Sequence, residues 1–456
     1  MIVGIITLGC DKNTVDSEYL AGLLQGYGHE VVVDGSLDEI DIVVIVTCGF
    51  ILDAREQSLE VMEEVIASKL EKGMPRHVIV AGCLAQRMAD DLRAKFPDVD
   101  ACFGVGHLPE LAQLVNQYAE KEAIQPTPLA PPDMAMDKPL PRARLDAWPH
   151  AFLKIADGCD HRCAFCAIPA MKGPYRSVPR EIILEEARGL VEIGTRELVL
   201  IAQDISPYGR DLYDDYNLNH LLEDICRIDG EFRVRLMYFY PSGLTPEFIE
   251  VFAREDKICK YLDMPLQHLD PGVLRAMQRP AAEDATREKI ARLREAVPDV
   301  VLRTTMIVGF PGESNAAFKR LLDGVKELRF DWLGAFEWSP EEGTPAAESP
   351  NRVAPRMVER RREKLLKLQE QITAEKLEGL IGQRIRVLVE SFEEDGSAAH
   401  GRSWREAPEV DGLVIMPLEE EPEYVPENGE FIEVEIEDAS DLNLYGRIII
   451  PGGEGA

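Results

Sequence analysis

Cys159, Cys163 and Cys166 lie within one short stretch, Cys159-Asp160-His161-Arg162-Cys163-Ala164-Phe165-Cys166, at the spacing Cys-x3-Cys-x2-Cys. An iron–sulfur cube has four irons and is usually held by four thiolates, so a loop supplying three leaves one iron open to a ligand that is not protein. An open iron points to chemistry rather than storage. The alternative is a structural zinc loop, which needs a closed set of four ligands, so that His161 or a distant residue would have to complete it.

A second trio is spread along the chain. Cys10, Cys48 and Cys83 each come directly after a strand-like apolar run, Ile2–Leu8, Ile40–Thr47 and His77–Ala81. The carboxyl edge of an open parallel α/β sheet is where such proteins gather ligands. Any one of these thiols could be a small buried hydrophobe, the commoner fate of an unpaired cysteine. Their shared placement at strand ends makes them a second three-thiolate site, again with an open iron. Cys102, Cys226 and Cys259 sit inside apolar strands or helices and read as core.

Both sets need scaffolds. Up to about Glu120 apolar runs alternate with amphipathic stretches, as in a parallel α/β sheet, with further strands at Val31–Val33 and Asp100–Phe103 and helices at Ser17–Tyr27 and Ala54–Glu71. Between 121 and 149 the pattern stops and Pro126, Pro128, Pro131, Pro132, Pro139, Pro141 and Pro149 crowd the chain, which reads as a linker or extended arm that lets one domain close over the other. From 150 to 378 strands near Ala151–Ala156, Glu197–Ala202, Arg233–Phe239, Lys260–Met264, Val300–Ile307 and Asp331–Trp338 alternate with helices at Arg180–Gly194, Asn219–Asp229, Pro246–Glu255, Ala282–Ala296 and Ala316–Leu328. Six such units predict an open, partial (β/α)6 barrel with its active groups at the carboxyl ends of the strands. The thiol loop lies at one such end, and Gln203-Asp204, Tyr240-Pro241, Gln267-His268 and Gly309 to Glu313 lie at others. A mixed-charge helix, Ala354–Leu377, reads as largely solvated. Beyond it, strands at Arg384–Glu390 and Phe431–Glu437, with turns at Asp395-Gly396, Asp411-Gly412 and Asn428-Gly429, predict a small five-stranded barrel over 379–451.

The bulk properties bound the function. At 456 residues and 45% hydrophobic the chain can build about three cores. It has no apolar run long enough to cross a bilayer and starts with a strand rather than a signal peptide, so a cytoplasmic protein without a membrane partner is expected, its nine cysteines reduced or metal-bound. A net charge of −32 disfavours a nucleic-acid backbone as the main source of affinity and favours a basic protein partner. The contrast is sharpest from Gly379 onward, with 5 Lys+Arg against 19 Asp+Glu.

The thiol loop and its flanks resemble the radical S-adenosylmethionine (AdoMet) enzymes. The whole order of domains is similar to the methylthiotransferases among them, with a C-terminal barrel like a TRAM domain. Thr7-Leu8-Gly9-Cys10-Asp11-Lys12-Asn13, Thr47-Cys48-Gly49-Phe50 and Gly82-Cys83-Leu84-Ala85-Gln86-Arg87 look like that family's N-terminal cluster motifs. Of its two branches, one acts on an adenosine of tRNA and one on an aspartate of small-subunit ribosomal protein S-twelve. Cys166-Ala167-Ile168-Pro169, Lys172 to Ser177, Leu236 to Pro241, Asp263 to His268, Gly401-Arg402-Ser403 and Ala407 to Gly412 look like the second branch. Asp11 stands where that branch is expected to have proline, and Val178 where it is expected to have arginine.

The resemblance implies two 4Fe-4S clusters, an auxiliary one on Cys10, Cys48 and Cys83 and one on Cys159, Cys163 and Cys166 that binds and cleaves AdoMet. Gln203, Gln267, His268 and Glu313 become candidate AdoMet contacts. The cleavage implies a radical that takes hydrogen from the aspartate β-carbon, which then captures a methylthio group formed at the auxiliary site. The partners implied are ribosomal protein S-twelve and an electron donor of flavodoxin or ferredoxin type. A tRNA adenosine methylthiotransferase and a two-cluster electron carrier are the competing readings. The acidic C-terminus disfavours the first, and the second leaves three-thiol sites unexplained.

Overall fold

The computed structural model describes residues 1–33, 35–120, Met136, 138–279, 283–419 and 424–450. Pro126, Pro128, Pro131 and Pro132 of the expected linker, and Ala282 at the start of an expected helix, lie outside these residues.

The N-terminal unit runs β1 (Ile2–Thr7), α1 (Asp11–Gly26), β2 (Glu30–Val32), β3 (Ile42–Thr47), α2 (Leu52–Lys72), β4 (His77–Gly82), α3 (Cys83–Lys95), β5 (Ala101–Phe103) and α4 (Leu108–Glu120). Its five strands are parallel in the order β2-β1-β3-β4-β5. Every residue of β3, Ile-Val-Val-Ile-Val-Thr, is buried, as expected of a central parallel strand with helices on both faces. Helix α1 begins at Asp11, six residues before the expected start. Its first turns are polar yet buried, because Asp11, Lys12, Asn13, Asp16, Ser17 and Glu18 face other protein groups rather than water.

The described part of the arm, 138–149, has neither helix nor strand and lies across α1. At Gly22 an added Cβ would stand 2.3 Å from the Pro141 carbonyl oxygen, so only glycine admits the crossing. Arg142 is buried between Glu18 of α1 and Glu186, and Arg144 adds a second contact to Glu18 at 2.9 Å.

The second unit follows with β6 (His150–Lys154), β7 (Ala156–Asp157), α5 (Ile168–Lys172), β8 (Arg176–Ser177), α6 (Arg180–Glu192), β9 (Glu197–Ile201), α7 (Leu218–Cys226), β10 (Arg233–Leu236), α8 (Pro246–Arg254), β11 (Ile258–Asp263), α9 (Pro271–Ala276), α10 (Glu283–Ala296), β12 (Val301–Val308), α11 (Asn315–Leu328) and β13 (Trp332–Glu337). Six strands, β13-β12-β11-β10-β9-β6, form one parallel sheet that does not close, the partial barrel that the pattern predicts. Helix α12 (Pro355–Glu378) packs beside β13. It departs from the expected solvated helix at Arg361, Gln369 and Thr373, which are buried. The Arg361 guanidinium donates to Glu313, and Gln369 and Thr373 bind the backbone at Phe330 and Asp331.

The C-terminal unit is a closed barrel of β14 (Arg384–Phe392), β15 (Ala398–Arg402), β16 (Val414–Pro417), β17 (Phe431–Ser440) and β18 (Asn443–Ile448). Closure leaves no strand edge unpaired. Along the six-stranded sheet, Leu198, Leu200, Leu236, Leu262 and Leu302 enter the core beneath the helices. Their neighbours Val199, Ile201, Met237, Tyr261 and Val301 point the other way and share one apolar cluster with Ile385, Val387, Val434 and Leu444 of the small barrel. The face opposite the helices is therefore covered by the C-terminal barrel, with Val15 and Tyr19 of α1 in the same cluster. Polar groups lock this junction. Glu197 receives Arg233 and Arg235 from β10 and Arg402 from β15; Glu197, Arg235 and Arg402 are buried and Arg233 stands at the edge of the group. Burial opposes a charge on Glu197, but these three guanidiniums hold its carboxyl well below the usual range.

Candidate active site

Strand order brings the first trio of thiols together. The strands before Cys10, Cys48 and Cys83 are β1, β3 and β4, which are consecutive in the sheet, at the carboxyl edge where doubly wound sheets of order 2-1-3-4-5 bind ligands. Cys10 caps α1, Cys83 opens α3, and Cys48 follows β3 directly. Gly9 has φ +100°, and a Cβ there would lie 2.6 Å from Cys48 Cβ and 3.0 Å from its sulfur. That cradle needs glycine twice over, for its backbone angle and for its space. Asn13 staples the edge by donating from one amide nitrogen to Leu8 O at 2.6 Å and Thr47 O at 3.2 Å. Cys10 is exposed while Cys48 and Cys83 are buried, so the trio opens on one side. Burial pushes the Cys48 thiol up and the Cys83 thiol to about 12, against the lowering effect of the Lys172 charge. A metal ligated there displaces such protons outright.

The second trio sits on the loop beyond β6 and β7. Gly158, φ +77°, lets the chain pass so close that a Cβ would meet Pro174 O at 2.1 Å. The loop is held by its backbone, with Cys159 N donating to Gly173 O at 3.2 Å, Ala164 N to Met277 O at 2.9 Å, and Ala346 N to Ala164 O at 2.9 Å. Arg279 donates to Cys163 Sγ at 3.5 Å and lies over the Tyr240 ring, which stacks on His161 with centroids 4.0 Å apart. His161 contacts Asp204 at 2.8 Å, so its ring is engaged with a carboxylate behind the loop. Burial raises the Cys159 thiol to about 11 and the Cys166 thiol to about 12. Among the described residues no three His, Cys, Asp or Glu side chains stand around a single metal-ion position. The thiolates of a cube bind separate irons and have no need to converge on one point.

The rim candidates divide. Gln203 has its side-chain oxygen buried with no hydrogen-bond partner among the described residues, an acceptor left for a donor from a ligand. Gln267 adopts φ +70°, a strained backbone for a residue with a side chain, next to Met306 of β12. His268 and Glu313 are buried and face one another at 3.5 Å. Glu313 also accepts from Gly309 N at 2.5 Å and Arg361 at 2.9 Å, so these two brace the rim from behind. Cys102 and Cys259 lie in apolar cores, and Cys226 packs partly buried against one, in line with the reading of all three as core.

The two thiol sites belong to different units, yet one short helix joins them. Helix α5 starts two residues after Cys166, and its Ala167 and Met171 share an apolar cluster with Cys83 and Val105. Around this contact Asp11 accepts from Tyr238 OH at 3.3 Å while Lys12 Nζ lies 3.0 Å from the Tyr238 ring centroid. Asp11, in place of the expected proline, thus makes a contact between units, and Val178, in place of the expected arginine, is simply core. On the far side Glu341, 3% exposed, accepts from Arg55 at 2.6 Å and from Arg87 at 2.8 Å, while Arg87 also holds Gly49 O. Residue separations of more than 250 hide this clamp from sequence inspection.

An open six-stranded parallel barrel with a three-thiol loop after its first strand defines the class, the radical SAM enzymes. A sequence model of the Radical SAM superfamily matches residues 153–325, one described as Uncharacterized protein family UPF0004 matches 2–104, and a TRAM domain model matches 381–449. The fold resembles the radical S-adenosylmethionine methyltransferase TsrM of Kitasatospora setae, with a TM-score of 0.56 at 15% identity over 76% of this chain and 73% of that one. It also resembles the cobalamin-dependent S-adenosylmethionine radical enzyme OxsB, with a TM-score of 0.55 at 13% identity over 81% of this chain and 56% of that one. Among curated proteins, the ribosomal protein uS12 methylthiotransferase RimO of Geobacter sulfurreducens is 40% identical over 98% of both chains. That of Moorella thermoacetica is 44% identical over 92% of this chain and 94% of its own. The chain belongs to this family, the uS12 methylthiotransferases. Among the described residues no helix is long and apolar enough to cross a membrane.

Proposed function

We propose that this chain transfers a methylthio group to the β-carbon of an aspartate in uS12, the small-subunit ribosomal protein S-twelve. In this reading residues 1–120 carry the auxiliary cluster, 121–149 link, 150–378 carry the AdoMet-cleaving cluster and 379–451 form the TRAM-like barrel. Cys10, Cys48 and Cys83 hold one 4Fe-4S cluster, and Cys159, Cys163 and Cys166 the other. The donor sets fit: each offers three thiols from one edge or loop, cradled by a glycine that admits no side chain. When bound, the clusters and AdoMet supply the electron for AdoMet cleavage and the sulfur to be methylated and transferred.

The observation that carries the reading is the packing of Ala167 and Met171, on the segment that follows Cys166, against Cys83 of the first trio. A short-lived carbon radical demands that its sulfur donor stand close by, and fixed domains meet that demand better than a loose tether. The chain's own residues do the positioning. Arg279 and the His161–Tyr240 stack hold the loop, Gln203 and Gln267 offer polar groups to AdoMet, and His268 with Glu313 keeps the rim rigid. The Arg55–Glu341–Arg87 clamp keeps the auxiliary site seated. The acidic C-terminal barrel suits a lysine- and arginine-rich protein better than tRNA. The electron donor is of flavodoxin or ferredoxin type, and the compartment is the cytoplasm.

The test is anaerobic reconstitution with reductant and AdoMet, followed by assay of deoxyadenosine and of mass gain on a uS12 peptide and on tRNA. Methylthiolation of the peptide alone supports the reading. Methylthioadenosine in tRNA would replace it with the other branch, and no AdoMet cleavage at all would leave an electron carrier.

A further inference from the structure

The contact between the two sites contains a buried group of four charges. Lys172, the last residue of α5, places Nζ 3.2 Å from Asp157 Oδ2 and 3.7 Å from Asp16 Oδ2, and Lys154 contacts Asp16 directly and Asp157 at 3.5 Å. All four residues are buried. Asp16 comes from α1 of the N-terminal unit and the other three from the second unit, so the group forms only when the two are docked.

Stability does not explain it. Replacing a buried ion-pair group by apolar side chains of similar volume is often neutral or favourable, so its presence calls for another use of the charge. Lys172 has three N–H donors, of which one goes to Asp157, while the Asp16 contact is too long for a hydrogen bond. The preceding residue, Met171, already touches the Cys83 region, and the Lys172 charge acts on Cys10, Cys48 and Cys83 together. Resting on the two-cluster reading above, three thiolates and an added sulfur anion leave the auxiliary site with net negative charge beside this ammonium.

We propose that Lys172 is a positioning residue of the auxiliary site, a cation lent by the AdoMet-cleaving unit that holds small sulfur anions, hydrosulfide or methanethiolate, at the open iron. Sulfur loading thereby depends on docking of the two units, because the cation and the thiols belong to different ones.

The test uses the full chain carrying Cys159→Ala, Cys163→Ala and Cys166→Ala, reconstituted anaerobically and reduced by one electron with dithionite so that the auxiliary cluster alone gives an electron paramagnetic resonance signal, and titrated with methanethiolate. Lys172→Met is expected to weaken methanethiolate binding about tenfold, and Lys172→Arg to restore most of it. The double variant Lys172→Met/Asp157→Asn removes one charge of each sign and should bind as poorly as Lys172→Met. If the double variant recovers tight binding, the defect comes from an unpaired carboxylate and the proposal falls. It falls equally if Lys172→Met binds methanethiolate as tightly as the parent. Absence of any cluster signal from the parent overturns the two-cluster reading itself, and this inference with it.

Discussion

Glu341→Gln tests whether the clamp between units serves transfer rather than folding. The change keeps the shape of the side chain and its contact with Ser339, but removes the negative charge that Arg55 and Arg87 share. Removing one partner of a buried pair costs about 3–5 kcal/mol. Arg55 and Arg87 retain 15% and 11% side-chain exposure. Water screens what remains, so the low end applies, about 3 kcal/mol. At about 1.4 kcal/mol per factor of ten, the docked arrangement loses roughly two orders of magnitude against the undocked one. Neither thiol trio is touched. Deoxyadenosine formation should persist while methylthiolated uS12 peptide per deoxyadenosine drops about tenfold or more, read by chromatography and mass spectrometry in the same reaction. The triple variant Arg55→Met/Arg87→Met/Glu341→Gln, which removes every charge of the clamp, should recover most of the coupling. An unchanged product ratio in Glu341→Gln would refute the argument that this clamp seats the auxiliary site.

Other expectations follow from single residues. Cys163→Ala should abolish deoxyadenosine formation, whereas Cys48→Ala should leave it measurable and block methylthio insertion; equal loss in both would undercut the division of labour. Gly9→Ala, which forces a Cβ against Cys48, should cost about half the reconstituted iron and the same product, with AdoMet cleavage retained; full iron content would count against the cradle. Burial raises the Glu390 carboxyl, but Arg402 and His150 outweigh it and bring it from an ordinary 4.5 to about 2. Its folded value lies below its unfolded one, so its stabilisation, about 3 kcal/mol, is present above pH 4.5 and lost as pH falls toward 2. Thermal melts over that range should fall more steeply for the parent than for Glu390→Gln, and parallel slopes would contradict the assignment.

The strands that carry the thiols were legible because parallel strands buried on both faces appear as continuous apolar runs, as Ile42–Thr47 does. What stayed hidden were polar residues made interior by another unit. The first turn and a half of α1 is hydrophilic, so hydropathy delays the helix to Ser17, yet those side chains are buried against the second unit and the arm. Arg361 reads as a surface charge and is a buried brace for Glu313. Arg402 in Gly401-Arg402-Ser403 and Asp411 in Ala407 to Gly412 carry the likeness to the protein-modifying branch. Both side chains are buried, where they bind Glu197 and Glu390 or Tyr261 and Arg303. The sequence pattern marked those segments without revealing that they glue the small barrel to the sheet. Of the rim, sequence position found the region, while the fold distinguishes Gln203, whose side-chain oxygen has no partner among the described residues, from the mutually engaged His268 and Glu313.

The shared core between the open sheet and the small barrel also fixes an order of events during synthesis. The sheet is complete once Glu337 has been made, but the strands that cover its second face end only at Ile448. At translation rates of roughly 5–20 residues per second, Val199, Ile201, Tyr261 and their neighbours wait on the order of 5–20 s for their apolar cover. During that interval the nascent enzyme presents a sticky concave sheet. A chain that stops before residue 380 keeps this surface for good, and is expected to be captured by chaperones or to aggregate rather than to persist as a smaller, less selective enzyme.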